Sequence, residues 1–261
     1  MKALHFIALL FITTALCHAA HAAPPTANYA PPVNSQYIAL SEQLLYHVKT
    51  EAATDTLERQ LATINLPDLV YGLSDDKARK TFWINIYNAW FQILATREHK
   101  TRPAIFTNKL VNVAGTLFSL DDIEHGILRR YRNKLSQGYR EQSNVPVAIK
   151  QLAVAEIDYR IHFALNCGAK SCPPIAFYKY ERIDDQLNLA AASFLSSETK
   201  VDEPNKELTT SKILFYYEGD FGGKAGILKM LSKYLNQNFT GYKIKYAPYD
   251  WDAKLKNFSG Q

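Results

Sequence analysis

Between residues 75 and 98 the chain carries a helical pattern with almost no wet side. Its middle, Phe82-Trp-Ile-Asn-Ile-Tyr-Asn-Ala-Trp-Phe-Gln-Ile-Leu94, is apolar at nearly every position. A helix of that composition is buried nearly all round, so the rest of the fold has to be built as its cover. Four uncharged polar residues interrupt it. Thr81, Asn85, Asn88 and Gln92 fall at i, i+4, i+7 and i+11, which places them in one stripe. Each buried amide costs about 1 to 3 kcal/mol if it finds no partner. The stripe must therefore face hydrogen-bonding backbone, water or a site, and two readings stay open: amides that brace neighbouring loops, or one wall of a functional site.

The ends of the chain suggest where it works. Met1-Lys2, the uncharged run of residues 3–16 and Ala20-His21-Ala22 before Ala23 have the parts of a secretory signal peptide over residues 1–22. The apolar run is too short to cross a bilayer, and no later stretch approaches 18 consecutive apolar residues. Cleavage would remove Cys17 and leave Cys167 and Cys172 as the two thiols of an exported, periplasmic or secreted protein. Residues 23–34 hold four prolines and no charge, an extended linker. Residues 35–261 then suffice for a single domain with a sizeable core. The formal charge of +5 is scattered rather than gathered into a run, which argues against a dedicated nucleic-acid partner.

Other elements follow from local signals. Residues 41–50 and 55–64 pattern as amphipathic helices. Ser119-Leu-Asp-Asp122 has capping-box spacing and predicts a helix over residues 120–134. On it Asp121, His125 and Arg129 share one face at i, i+4 and i+8, where the carboxylate can hold the imidazole. Taken alone, that is a solvated charged face. Gly126 inside a helix costs up to about 1 kcal/mol and marks close approach by another segment. Farther on, residues 213–217 form a short apolar segment before the Glu218-Gly-Asp-Phe-Gly-Gly223 turn, residues 227–236 a helix and residues 242–246 an edge strand.

Chemistry concentrates in Arg160-Ile-His-Phe-Ala-Leu-Asn-Cys-Gly-Ala-Lys-Ser-Cys-Pro-Pro174. Its alternation reads as a strand breaking into a turn, with Ile161, Phe163, Leu165 and Cys167 on one side and His162, Ala164 and Asn166 on the other. On a straight strand His162 lies roughly 16 Å from Cys167 and on the wrong face. It could reach Cys172 only if the loop folded back, so a base for Cys167 has to come from another element. His125, with its carboxylate neighbour, is the best candidate.

Phe82-Trp-Ile-Asn-Ile-Tyr-Asn-Ala89, His125-Gly-Ile-Leu-Arg129, His162-Phe-Ala-Leu-Asn-Cys-Gly-Ala-Lys-Ser-Cys-Pro-Pro174, Leu208-Thr-Thr-Ser-Lys-Ile213, Asp220-Phe-Gly-Gly223 and Tyr249-Asp-Trp251 together resemble the family known as domain of unknown function 547. The resemblance spans residues 74–251. It implies that Trp83, Asn85, Tyr87, Asn88, His125 and Cys167-Gly168 occupy widely shared positions, that the His162 and Cys172 positions vary outside bacterial members, and that bacterial members are often exported. It names no reaction.

Asn88, His125 and Cys167 are nonetheless the residue types of a papain-like cysteine hydrolase: a thiolate attacks an acyl carbon, an imidazole moves the proton and an amide orients the imidazole. The chain order is the reverse of papain's, so any likeness is one of convergence or rearrangement. The expected site is Cys167 as nucleophile, His125 as base, Asn88 or Asn85 as orienter, and the amides of Gly168 and Ala169 as oxyanion donors. Against it stands a structural Cys167–Cys172 disulfide closing a small loop, with buried free thiols as a third state. The cysteine spacing matches no familiar zinc pattern, and no phosphate-cradling glycine loop is present, so no metal and no cofactor is expected. The expected fold is a helix-rich α+β domain with a small, mainly antiparallel sheet carrying the cysteine strand. Two functions remain: a thiol-dependent hydrolase or transferase acting on peptide or other amide bonds, and a non-enzymatic module binding a peptide or small-molecule ligand through a loop fixed by the disulfide.

Overall fold

A computed structural model describes residues 32–260. The expected signal peptide and all but the last three residues of the expected linker lie outside them. Helices α1 (Ser35–Lys49), α2 (Asp55–Thr63) and α3 (Leu66–Gly72) lead into α4 (Asp76–Thr96). Asp75 starts α4 by accepting the N–H of Ala78 at 2.8 Å. Every residue from Lys80 to Leu94 is buried, as the all-round apolar pattern requires. The rest of the first half of the fold packs around it: α5 (Ala104–Thr107), a hairpin of β1 (Val111–Val113) and β2 (Thr116–Phe118), and a π-helical segment, Asp122–Leu128. Ala114 and Gly115 both take positive φ, 53° and 66°, the two-residue turn that matches strand twist in a tight hairpin.

The capping box forms in both directions: Asp122 N–H donates to Ser119 Oγ at 3.0 Å and Ser119 N–H to Asp122 Oδ2 at 2.9 Å. The helix it starts ends at Leu128, six residues short of the expected 134. Beyond the Arg129 cap, Arg130 and Tyr131 adopt positive φ and the chain turns away. Gly126 is a close-approach position, because a Cβ there would stand 2.9 Å from Ile149 Cγ2 on α6 (Val147–Leu152).

The second half is a smaller layer around its own apolar cluster, including Phe163, Phe194, Leu214, Phe221, Leu231 and Phe239. It is built from α7 (Ile183–Glu198), β3 (Lys200–Asp202), β4 (Glu207–Thr210), α8 (Ile213–Tyr216), α9 (Gly223–Leu235) and β5 (Lys243–Tyr246). Strand β4 pairs antiparallel with β3 and parallel with β5. The α+β reading with small, mainly antiparallel sheets holds.

The cysteine segment belongs to neither sheet, which corrects the expected strand. Asp158 caps a 3-10 turn over Tyr159–Phe163 by accepting the Arg160 N–H at 3.1 Å, and the amides of Ala164 and Leu165 both return to the Ile161 carbonyl. His162, Ala164 and Asn166 are buried along with Ile161, Phe163 and Leu165. Alternation of residue type therefore does not report one wet and one dry face.

Candidate functional site

The amide stripe on α4 is where the cysteine loop is fastened. Asn88 donates to the Ala164 carbonyl at 2.9 Å and accepts the Asn166 N–H at 2.9 Å. Asn85 makes the same pair of bonds with Tyr178, at 2.8 and 3.1 Å. Gln92 Oε1 accepts the Lys256 N–H at 2.9 Å, and Thr81 returns its hydroxyl to the Lys77 carbonyl on its own helix. Asn85 and Asn88 here replace a strand ladder: each offers one donor and one acceptor to backbone groups that have no sheet neighbour. Their bonds go to backbone, so Asn88 and Asn85 hold loops, and neither orients His125.

Asn166 repeats the device one residue before the thiol. It donates to the Pro173 carbonyl at 2.7 Å and accepts the Gly168 N–H at 2.9 Å, drawing the two ends of the loop together. Gly168 has a φ of 72°, and a Cβ on it would lie 2.5 Å from the Phe91 ring, so glycine is required on both counts. Cys167 and Cys172 meet with their sulfurs 2.23 Å apart, at disulfide distance. Tyr249 Oη stands 3.4 Å from one and 3.2 Å from the other. The Gly168 amide is committed to Asn166, and neither Gly168 nor Ala169 lines the cavity described next. Neither therefore matches the expected oxyanion donor.

A cavity of about 260 Å³ opens beside the sulfurs. Cys167, Cys172, His125 and His162 all line it, with Tyr216, Tyr217, Tyr249 and Trp251 as an aromatic wall. His162 thus faces the same cavity as the cysteines. The straight-strand geometry that excluded it fails because the chain coils and then folds back.

Below the cavity lies a buried polar network. Arg129 donates to Asp220 at 2.6 and 3.1 Å and reaches His125 Nδ1 at 2.7 Å. Asp220 also meets His162 Nε2 at 2.8 Å. Glu124 accepts from Tyr217 Oη at 2.6 Å and Tyr87 Oη at 3.1 Å. Asp121, 3.5 Å from His125 Nε2, is paired outward with Lys134 at 2.8 Å. The Asp121, His125, Arg129 face exists as spaced, but it is not solvated: Arg129 is 0 % and His125 4 % exposed. Burial would push the Asp220 carboxyl up, yet its bonds to His162 and Arg129 outweigh that and hold it well below the carboxylate range. Burial lowers His162, which favours the neutral imidazole.

Residues 71–195 match the family described as "Protein of unknown function, DUF547". That segment is a DUF547 domain. No curated protein and no solved structure matches the chain. The DUF547 match contains the amide stripe, both histidines and both cysteines. Tyr216, Tyr217, Tyr249 and Trp251, which complete the cavity, and Asp220, which anchors the network below it, lie beyond that match.

Asp220, Glu124, Arg129 and Tyr249 are the site components that sequence reasoning did not assign. Asp220 carried a signal in the Asp220-Phe-Gly-Gly223 motif. Its turn holds two positive-φ glycines, Gly222 at 81° and Gly223 at 72°, and so delivers the carboxylate to a fixed place. No transmembrane-length apolar helix and no cluster of three metal-ligating side chains occurs among the described residues.

Proposed function

We propose that the cavity is a catalytic cleft for thiol chemistry on amide bonds, with Cys167 as nucleophile and His162 as the base that activates it. The observation that carries this reading is that His162, on the cavity wall with the two cysteines, is held from behind by Asp220 at 2.8 Å. A carboxylate can only accept, so His162 Nε2 bears the proton; burial disfavours the imidazolium, which leaves Nδ1 its lone pair. That is the orienting role a carboxylate plays toward a catalytic imidazole. Of the two thiols Cys167 is the accessible one, half-buried where Cys172 is buried.

A dithiol reductant first opens the pair, taking the two electrons' worth of oxidation as its own disulfide and leaving two thiols. His162 Nδ1 then takes the Cys167 proton, the thiolate attacks the amide carbon, and the imidazolium protonates the departing amine. Water or another amine, deprotonated by His162, resolves the thioester to product and free thiol. On this reading the protein is exported, a conclusion that rests on residues 1–22; the mass of the mature chain, beginning at Ala23, tests it.

Rates of iodoacetamide labelling of the reduced protein, read by peptide mass, test the chemistry. Cys167 should label at least tenfold faster than Cys172, and the His162→Asn variant should lose that advantage. Equal rates at the two cysteines, or an unchanged rate in the variant, would overturn the assignment.

The place of both cysteines on the cavity lining favours a second reading: the pair stays closed as a disulfide and fixes one wall of a binding cavity that is aromatic along one side. Native protein would then resist labelling before reduction, and reduction would lower its stability without creating a selectively reactive thiol.

A further inference from the structure

Arg129 is enclosed in the protein and divides one guanidinium among three groups. Nη1 lies 2.7 Å from His125 Nδ1, Nε and Nη2 grip Asp220, and the guanidinium carbon sits 4.6 Å from the centre of the Tyr217 ring. Tyr217 in turn stacks on His162 with ring centres 3.9 Å apart. A guanidinium has donors and no acceptor. His125 Nδ1 must therefore accept, and an imidazole that accepts at Nδ1 carries its proton on Nε2. On the other side the same fork keeps Asp220 a carboxylate, which obliges His162 Nε2 to donate. Among the described residues no group hydrogen-bonds His162 Nδ1.

We infer that Arg129 is a positioning residue that sets both cavity histidines from one buried cation, leaving His125 as an Nε2–H donor, His162 as an Nδ1 acceptor, and neither ring charged. This deepens the proposed reading and rests on it for its functional meaning. It moves His125 from base to hydrogen-bond donor, placed to meet an amide oxygen as negative charge develops there. Between the two rings the arrangement fits a group offering one acceptor and one N–H, as a secondary or primary amide does.

Long-range proton–nitrogen correlation spectra of the full chain, labelled with nitrogen-15, read the tautomers directly. Both His125 and His162 should show a protonated Nε2 and an unprotonated Nδ1 at neutral pH, in oxidised and reduced protein alike. In Arg129→Lys one ammonium cannot bridge both partners as a planar fork does, so at least one histidine should shift toward a mixture of tautomers. A protonated His125 Nδ1 in the wild-type protein overturns the inference by itself, even if the variant does not fold. So does a folded Arg129→Lys protein in which both patterns persist. Because the tautomers are read without turnover, failure of the thiol chemistry would leave this result standing, and the reverse also holds.

Discussion

Replacing Asn88 by alanine separates a loop-bracing amide from a catalytic one. The side chain is wholly buried and serves two backbone groups of the cysteine loop, the Ala164 carbonyl and the Asn166 N–H. Truncation leaves both without partners inside the core. At about 1 to 3 kcal/mol for each stranded group, the loss is about 2 to 6 kcal/mol, against a total of about 5 to 15 kcal/mol for an ordinary domain. A domain of this size loses about 2 to 4 °C of melting temperature per kcal/mol, so the fall is about 4 to 24 °C. Urea unfolding followed by tyrosine and tryptophan fluorescence should show the midpoint move with the slope unchanged. Asn85→Ala, with the same two-bond geometry toward Tyr178, should cost a similar amount. Gln92→Ala should cost less, because only its oxygen is engaged. An Asn88→Ala protein within about 1 kcal/mol of wild type would refute the bracing role, since that is below the cost of even one stranded group.

Three further outcomes follow from the same geometry. Burial would raise the Asp158 carboxyl, but the bonds and charges of Arg160 and Lys80 bring it down to about 2. The unfolded chain therefore binds more protons below about pH 4, and the roughly 2 kcal/mol from this group is present above that pH and lost as pH falls through about 2. Denaturation between pH 2 and 5 should show a weaker acid dependence in Asp158→Asn, and an unchanged one would sink the linkage. Tyr217→Phe removes the 2.6 Å donor to buried Glu124 and should cost about 1.5 to 3 kcal/mol in chemical denaturation; no loss would mean that Glu124 is held without it. Gly126→Ala gains helix propensity of up to about 1 kcal/mol but drives a methyl to 2.9 Å from Ile149 Cγ2, an overpacking cost of about 1 to 3 kcal/mol. The net effect on melting temperature should be downward, and should vanish when Gly126→Ala is made in an Ile149→Ala background; a stabilised single variant would show that the contact relaxes freely.

What could be read from the sequence was what neighbours along the chain decide. The period of the stripe on α4, the Ser119–Asp122 box and the cost of Gly126 are local matters, and the structure agrees with each. The Asp121, His125, Arg129 face was spaced correctly and placed in water wrongly. Its burial depends on Asp220, 91 residues after Arg129, and a charge pair formed over that distance leaves no periodic trace. The cysteine segment misled for a related reason. Ile161-His-Phe-Ala-Leu-Asn166 alternates as a half-buried strand would, but both of its sides are covered. Its peptide groups are satisfied by Asn88 and by 3-10 turns rather than by a neighbouring strand. The sixteen-residue helix α7 and the parallel pairing of β5 with β4 were not anticipated, since neither carries a local signal comparable to a capping box or a glycine turn.

The last described stretch of chain is tied across the cysteine loop: Lys170 and Ser171 donate to the carbonyls of Asp252 and Asp250, Lys254 donates back to Gly168, and Ile175 exchanges bonds with Asn257 and Ser259. Trp251 and Tyr249 reach the cavity only because that stretch is in place. Tyr249 and Trp251 are therefore the last of the lining residues to be made. A nascent chain that has already formed α4 and drawn its two thiols together still lacks part of the aromatic wall and the hydroxyl between the sulfurs. Removal of residues 249–260 would take away Tyr249 and Trp251 and open the site, and would also free Gln92 on the central helix from the Lys256 N–H.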